Sequence, residues 1–173
     1  MGRDQELASA RKLALQPHVR LLTLTEPGGV GKTRFAAALG RALQREFPGG
    51  VYFVPLEKIS SFELVPWEVA AALNVPPRAG GTLISSLKEY VRESCVAPTL
   101  VLLDNFEHVQ SAAPLITELL AASERLKIIV TSRATLHVYG EYEFSVAPLA
   151  APDPRATLTA AALAQSPAVV LFL

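Results

Sequence analysis

An apolar run from Val19 to Thr25, a glycine-rich turn (Glu26-Pro27-Gly28-Gly29-Val30-Gly31-Lys32-Thr33) and an alanine-rich helical pattern from Phe35 to Phe47 follow one another directly. Strand, glycine-rich turn, Lys-Thr and helix, in that order, is the layout of a phosphate-binding P-loop. The physics is local. Glycines let backbone N–H groups crowd around phosphate oxygens. A helix beginning near Lys32 adds the positive end of its dipole. Lys32 supplies a point charge for terminal phosphates, and Thr33 a hydroxyl for Mg²⁺. The competing reading is a chance glycine-rich loop ahead of a helix. The flanking strand and helix argue against it, because the mechanism requires both.

The pattern G-x-x-x-x-G-K-[ST] asks for glycine five residues before Gly31, and this chain has Glu26 there. A carboxylate beside phosphates is repulsive, from about 1 kcal/mol at 4 Å in water to about 4 kcal/mol at an effective dielectric of 20. Pro27 biases residue 26 toward extended geometry. The expectation is therefore a strand that runs on, a Glu26 side chain turned outward, and a formed loop of weakened nucleotide affinity.

With 173 residues the chain is sized for one domain with a real core. Charged residues make up 18%, and Lys plus Arg equals Asp plus Glu at 16 each, so composition carries no basic footprint for nucleic acid. If the intact protein acts on DNA, another domain is expected to touch it. No apolar stretch reaches the ~18 residues of a membrane span. The N-terminus, Met1-Gly2-Arg3-Asp4-Gln5-Glu6, lacks the apolar core of a signal peptide. The single cysteine, Cys95, excludes an internal disulfide and fits a reducing cytoplasm, where it reads as a small apolar filler. The chain stops in mid-pattern at Val169-Val170-Leu171-Phe172-Leu173, which predicts a fragment of something longer.

Apolar spacing predicts a helix over Glu6 to Leu15, a strand over Arg20 to Thr25, the P-loop helix ending near Pro48-Gly49-Gly50, and a strand over Val51 to Leu56. Helices are expected over Phe62 to Leu73, with Pro66 in the first turn, and over Thr82 to Glu93 with Thr82 as N-cap. Thr99 to Leu103 and Lys127 to Val130 read as buried strands, Ser111 to Ala122 as a helix, and Glu141 to Val146 as a last strand. Pro148 to Pro154 is a linker, with helices beginning at Thr157 and at Ser166-Pro167. Alternating strands and helices give an α/β layered sheet. The P-loop, Asp104 and Arg133 each follow a strand at its carboxyl end, where such sheets bind ligands.

Asp104 closes Leu100-Val101-Leu102-Leu103, and four apolar residues then Asp is the Walker B arrangement, a buried strand presenting a carboxylate to Mg²⁺. A turn or capping Asp is the plainer alternative. Lys32 and Asp104 lie 72 positions apart (104 − 32), which leaves room for an extra strand between them. Asn105 sits where hydrolysing NTPases with this layout carry a second carboxylate, and an amide takes no proton at neutral pH, so fast hydrolysis is not expected unless another group serves. Glu107 reads as a solvated charge in preference to a base, and His108 as a packing or surface residue. Arg133 is placed to reach a γ-phosphate, or to pair with a nearby carboxylate. Arg34, His18, His137 and Trp67 have no motif of their own and read as surface or packing residues.

Four segments together, Gly2-Arg3-Asp4-Gln5-Glu6-Leu7, Pro27-Gly28-Gly29-Val30-Gly31-Lys32-Thr33-Arg34, Leu102-Leu103-Asp104-Asn105-Phe106-Glu107-His108 and Val130-Thr131-Ser132-Arg133, resemble the NB-ARC branch of the signal-transduction (STAND) ATPases. The similarity is to bacterial regulators that join this ATPase to a LuxR-type or SARP-type DNA-binding domain and to helical repeats. It covers nearly the whole chain, with Ser166-Pro167-Ala168-Val169 resembling the start of the region after the nucleotide fold. The resemblance implies a three-layer α/β sandwich of the P-loop NTPase kind, with a mostly parallel central sheet of about five strands. Residues 1–150 would form this domain, and 151–173 a linker and the start of a truncated helical region.

The family implies a nucleotide switch, with ADP holding a closed state and ATP an open state that assembles, hence self-association. On that pattern Pro27, Gly28, Gly29, Val30, Gly31, Lys32, Thr33 and Arg34 bind nucleotide. Thr33 and Asp104 serve the metal, Arg133 senses phosphate beside Asp104 in catalysis, and Arg3 lies near the adenine. The implied ligands are ATP or ADP with Mg²⁺. The DNA-binding domain and repeats would lie outside this chain, leaving no direct nucleic-acid or membrane contact to it. Three functions follow from the residues: a regulatory ATP/ADP module with slow or no hydrolysis, an active ATPase, or a degenerate P-loop scaffold blocked by Glu26.

Overall fold

Leu22 and Leu24 alternate with Leu21, Leu100 and Leu102 with Val101 and Leu103, and Ile129 with Ile128 and Val130, and every one of these side chains is buried. Side chains that alternate along a strand point to opposite faces, so a strand buried throughout needs a layer on each side. The computed structural model, which describes residues 3–26, 31–77 and 81–147, has that form. Strands β1 (Leu21–Thr25), β2 (Val51–Pro55), β3 (Thr99–Asp104), β4 (Leu126–Ser132) and β5 (Glu141–Ser145) make one sheet in the order β2-β3-β4-β1-β5. All four pairings are parallel, with Leu21 opposite Ile128 and Leu102 opposite Ile129.

Helices α1 (Asp4–Ala14) and α2 (Lys32–Leu43) pack on one face, where Ala10, Phe35, Leu39 and Leu43 meet Leu22, Leu24, Leu102 and Ile129. Helices α3 (Val65–Leu73), α4 (Leu83–Ser94) and α5 (Ala113–Ala122) cover the other, where Val69, Leu87 and Ile116 meet Leu21, Val101 and Ile128. The chain is thus an α/β three-layer sandwich around a parallel five-stranded sheet, as the sequence predicts.

Two cations close helix ends across the layers. Lys127 Nζ donates to the carbonyls of Ala14 (2.7 Å) and Gln16 (2.6 Å) beyond α1, and Arg20 Nη2 donates to the carbonyls of Leu120 and Ser123 at the end of α5. Both meet the negative end of a helix dipole. Thr82 caps α4, its Oγ1 accepting from the Ser85 N–H at 3.1 Å. The helix expected over Phe62 to Leu73 divides into a 3₁₀ turn, Phe62–Leu64, and α3, with Pro66 in α3's first turn. The element expected from Ser111 likewise opens with a 3₁₀ turn, Gln110–Ala112. The expected linker and helices after Ala147 lie outside the described residues.

Candidate functional site

Parallel strands aim their carboxyl ends at one edge of the sheet, and the chain places its reactive side chains there. β1 ends at Thr25 and the chain re-enters helix at Lys32. Gly31 immediately precedes α2 with φ +92°, in left-handed space. Among the described residues nothing lies within 4 Å of where its Cβ would be, so the conformation itself calls for glycine. Among the described residues no side chain caps α2, and its first turn holds no acidic residue, so its first-turn N–H groups have no side-chain partner there.

Strand β3 delivers Asp104, 4% exposed. Its Oδ2 accepts from Thr33 Oγ1 at 2.7 Å, joining the P-loop helix to the β3 strand. Its Oδ1 accepts from Thr131 Oγ1 at 2.6 Å, and Thr131 in turn accepts from the Asn105 N–H at 2.8 Å. Strand β4 therefore fixes the carboxylate from the side. This is possible because β4 lies between β1 and β3 in the sheet, while β2 separates those two in sequence. Asn105 turns the chain with φ +62°, a left-handed conformation that asparagine tolerates.

That turn leads into a 3₁₀ turn, Phe106–His108, anchored by fully buried Phe106. It carries Glu107 inward. The Glu107 side chain is 9% exposed, and Oε1 lies 3.8 Å from Lys32 Nζ and 3.4 Å from Arg133 Nε. The expectation that Glu107 is a solvated charge is therefore corrected: the left-handed turn at Asn105 directs it into the site. His108, next along, is exposed as expected.

Lys32, Thr33, Asp104 and Arg133 are brought together, the first and last through Glu107. Arg34 is exposed. Arg3 is drawn to the end of β5: Nη2 donates to the Ala147 carbonyl at 2.8 Å and the guanidinium sits 6.0 Å from the Phe35 ring centroid. Glu6 accepts from the Ala147 N–H at 2.6 Å, so the N-terminal segment clamps the strand that borders β1. Pro27, Gly28, Gly29 and Val30 lie outside the described residues. Glu26 is 1% exposed, so its side chain is buried and not turned outward to solvent. Thr131 was not singled out from the sequence; its place in Val130-Thr131-Ser132-Arg133, at the end of a buried strand, is the signal that marks it.

The donor set suits a hard cation that keeps other ligands. Thr33 offers a hydroxyl and Asp104 one carboxylate, and among the described residues no group of three His, Cys, Asp or Glu side chains could hold a metal by itself. Mg²⁺ is usually held by one or two carboxylates together with substrate phosphates and waters. The residues present fit that use.

The chain matches no family model. It is 33% identical over 150 residues to an uncharacterized protein of Mycobacterium tuberculosis, covering 86% of this chain and 37% of that protein. It is 35% identical over 148 residues to a Mycobacterium tuberculosis protein named "Putative HTH-type transcriptional regulator", covering 85% of this chain and 16% of that one. The chain thus spans well under half the length of these relatives. Among solved structures it is similar to Cdc6p from Pyrobaculum aerophilum (TM-score 0.57, 20% identity, 75% of this chain and 38% of that one). It is also similar to the Aeropyrum pernix ORC2 protein, solved as ADPNP and ADP complexes (TM-score 0.52, 18% identity, 75% and 40%). Caenorhabditis elegans PCH-2 is a third (TM-score 0.53, 16% identity, 84% and 42%). The fold is that of the P-loop ATPases.

Proposed function

We propose that this chain is an ATP/ADP-binding regulatory module of the signal-transduction ATPase kind, of NB-ARC type, with slow or no hydrolysis. The observation that carries it is the 2.7 Å hydrogen bond from Thr33 Oγ1 to Asp104, which brings hydroxyl and carboxylate to one point beside Lys32 at the start of α2. Lys32 and the N–H groups of the α2 first turn would hold the phosphates. Thr33 and Asp104 would hold Mg²⁺, which supplies charge neutralisation between the phosphates when bound. Thr131 keeps the Asp104 carboxylate turned toward Thr33. Arg133, 65% exposed, has the freedom to follow a terminal phosphate.

Slow turnover is the reading that Asn105 supports, since its amide cannot accept the proton of an attacking water, provided Glu107 stays held between Lys32 and Arg133. Mg²⁺ would offset part of the polyphosphate charge beside Asp104, so nucleotide should enter as the Mg²⁺ complex. The name carried by one relative supports a place within a longer transcriptional regulator, with DNA contact made by another domain; self-association is the further expectation of the switch reading.

Buried Glu26 favours a second reading, a degenerate loop acting as an interaction scaffold. Calorimetric titration separates the two. Mg-ADP and Mg-ATP should bind saturably, EDTA should remove most of the affinity, and Glu26→Gly should strengthen binding. No binding by either the native chain or Glu26→Gly would leave the scaffold. Phosphate release above that of Lys32→Ala would identify an active ATPase instead.

A further inference from the structure

Glu107 is a largely enclosed acid, its side chain 9% exposed, that neither phosphate nor metal binding employs. Its Oε1 faces Lys32 Nζ at 3.8 Å and Arg133 Nε at 3.4 Å, and its Oε2 is buried with no hydrogen-bond partner among the described residues. A carboxylate oxygen removed from water without a partner is costly, and here two cations offset the cost. Those cations are the ones assigned to the polyphosphate. Both distances exceed a good hydrogen bond, so the attraction is electrostatic and can be exchanged for another anion.

We propose that Glu107 is a built-in competitor of the γ-phosphate: it holds Lys32 and Arg133 when no triphosphate is bound and is released when ATP draws both cations away. The inference rests on the nucleotide reading above. ADP has no γ-phosphate and competes for Lys32 alone, so the Glu107–Arg133 pair survives it. Glu107 therefore penalises ATP more than ADP and sets the balance between them. Release of Glu107 also removes one tether on the Phe106–His108 turn, which buried Phe106 still anchors.

The test titrates Mg-ATP and Mg-ADP separately into the native chain, Glu107→Gln and Lys32→Ala. Glu107→Gln should bind Mg-ATP about tenfold more tightly, equivalent to about 1.4 kcal/mol, and Mg-ADP about twofold more tightly. An unchanged ratio of the two affinities overturns the competitor. If Lys32→Ala meanwhile loses binding, the nucleotide reading stands without it. If Lys32→Ala binds as the native chain does, the nucleotide reading itself fails and the competitor with it. Should Glu107→Gln not fold, amide exchange on the native chain decides: residues 106–108 should exchange faster with Mg-ATP than with Mg-ADP, and equal exchange overturns the proposal.

Discussion

Thr131 makes two hydrogen bonds at once, donating to Asp104 and accepting from the Asn105 N–H, while itself 1% exposed. Thr131→Val would leave a buried carboxylate oxygen and a backbone donor short of a partner. Urea denaturation should show a loss of about 1–3 kcal/mol, with weaker Mg-nucleotide binding, and Thr131→Ser should recover both. A Thr131→Val chain of native stability and affinity would remove Thr131 from the site. Cys95 is 6% exposed, and burial raises its pKa above the ordinary 9.0 despite an opposing hydrogen bond with Thr99. The folded pKa exceeds the unfolded one, so its contribution to stability is intact below pH 9 and is lost as pH rises through the folded value. Between pH 8 and pH 10.5 the native chain should lose more stability than Cys95→Ala, measured by urea midpoints. Parallel profiles would contradict the burial argument. The apolar filler expected from the sequence is the role the structure gives this thiol.

At the level of elements, the strands were readable wherever burial on both faces forced an apolar run: Leu21–Thr25, Thr99–Asp104 and Leu126–Ser132 all lie within a residue or two of their predicted bounds. Edge strands β2 and β5 were readable from β-branched and aromatic alternation, and Pro55 is tolerated in β2 because that strand lies at the edge. The 3₁₀ turns were not readable, since three-residue segments have no periodicity to detect. Nor was Glu141, which accepts from the N–H groups of Leu136 (2.7 Å) and His137 (2.8 Å) and ties down the connection ahead of β5. Those bonds depend on a loop path that local spacing does not encode. The Pro48-Gly49-Gly50 sequence predicts a helix stop, yet the structural demand at Gly49 is space: an added Cβ would lie 2.8 Å from the Ala97 carbonyl oxygen and 2.9 Å from that of Pro98. Backbone cannot step aside cheaply, so Gly49→Ala should cost about 1–3 kcal/mol, seen as a lower melting temperature. Thr82→Ala should cost about 1 kcal/mol through its lost cap. An unchanged melt for either would show that the local contact is not realised.

Over the whole molecule, the parallel sheet converts separate sequence positions into one site. Lys32, Thr33 and Asp104 were legible because each sits at a fixed offset from a strand or helix end. The sheet order was not legible, and so the role of β4 in holding Asp104 through Thr131 was not either. Glu107 escaped because its direction is set by the left-handed turn at Asn105, a conformation permitted but not compelled by the residue type. Most directly at stake is whether Lys32 and its helix terminus grip a polyphosphate. Isothermal titration of Mg-ATP into the native chain and into Lys32→Ala, each shown to be folded by circular dichroism, decides it. Saturable binding should appear in the native chain and fall at least about a hundredfold, some 2.7 kcal/mol, in Lys32→Ala. Equal affinity in the two chains would contradict the assignment of this sheet edge to nucleotide.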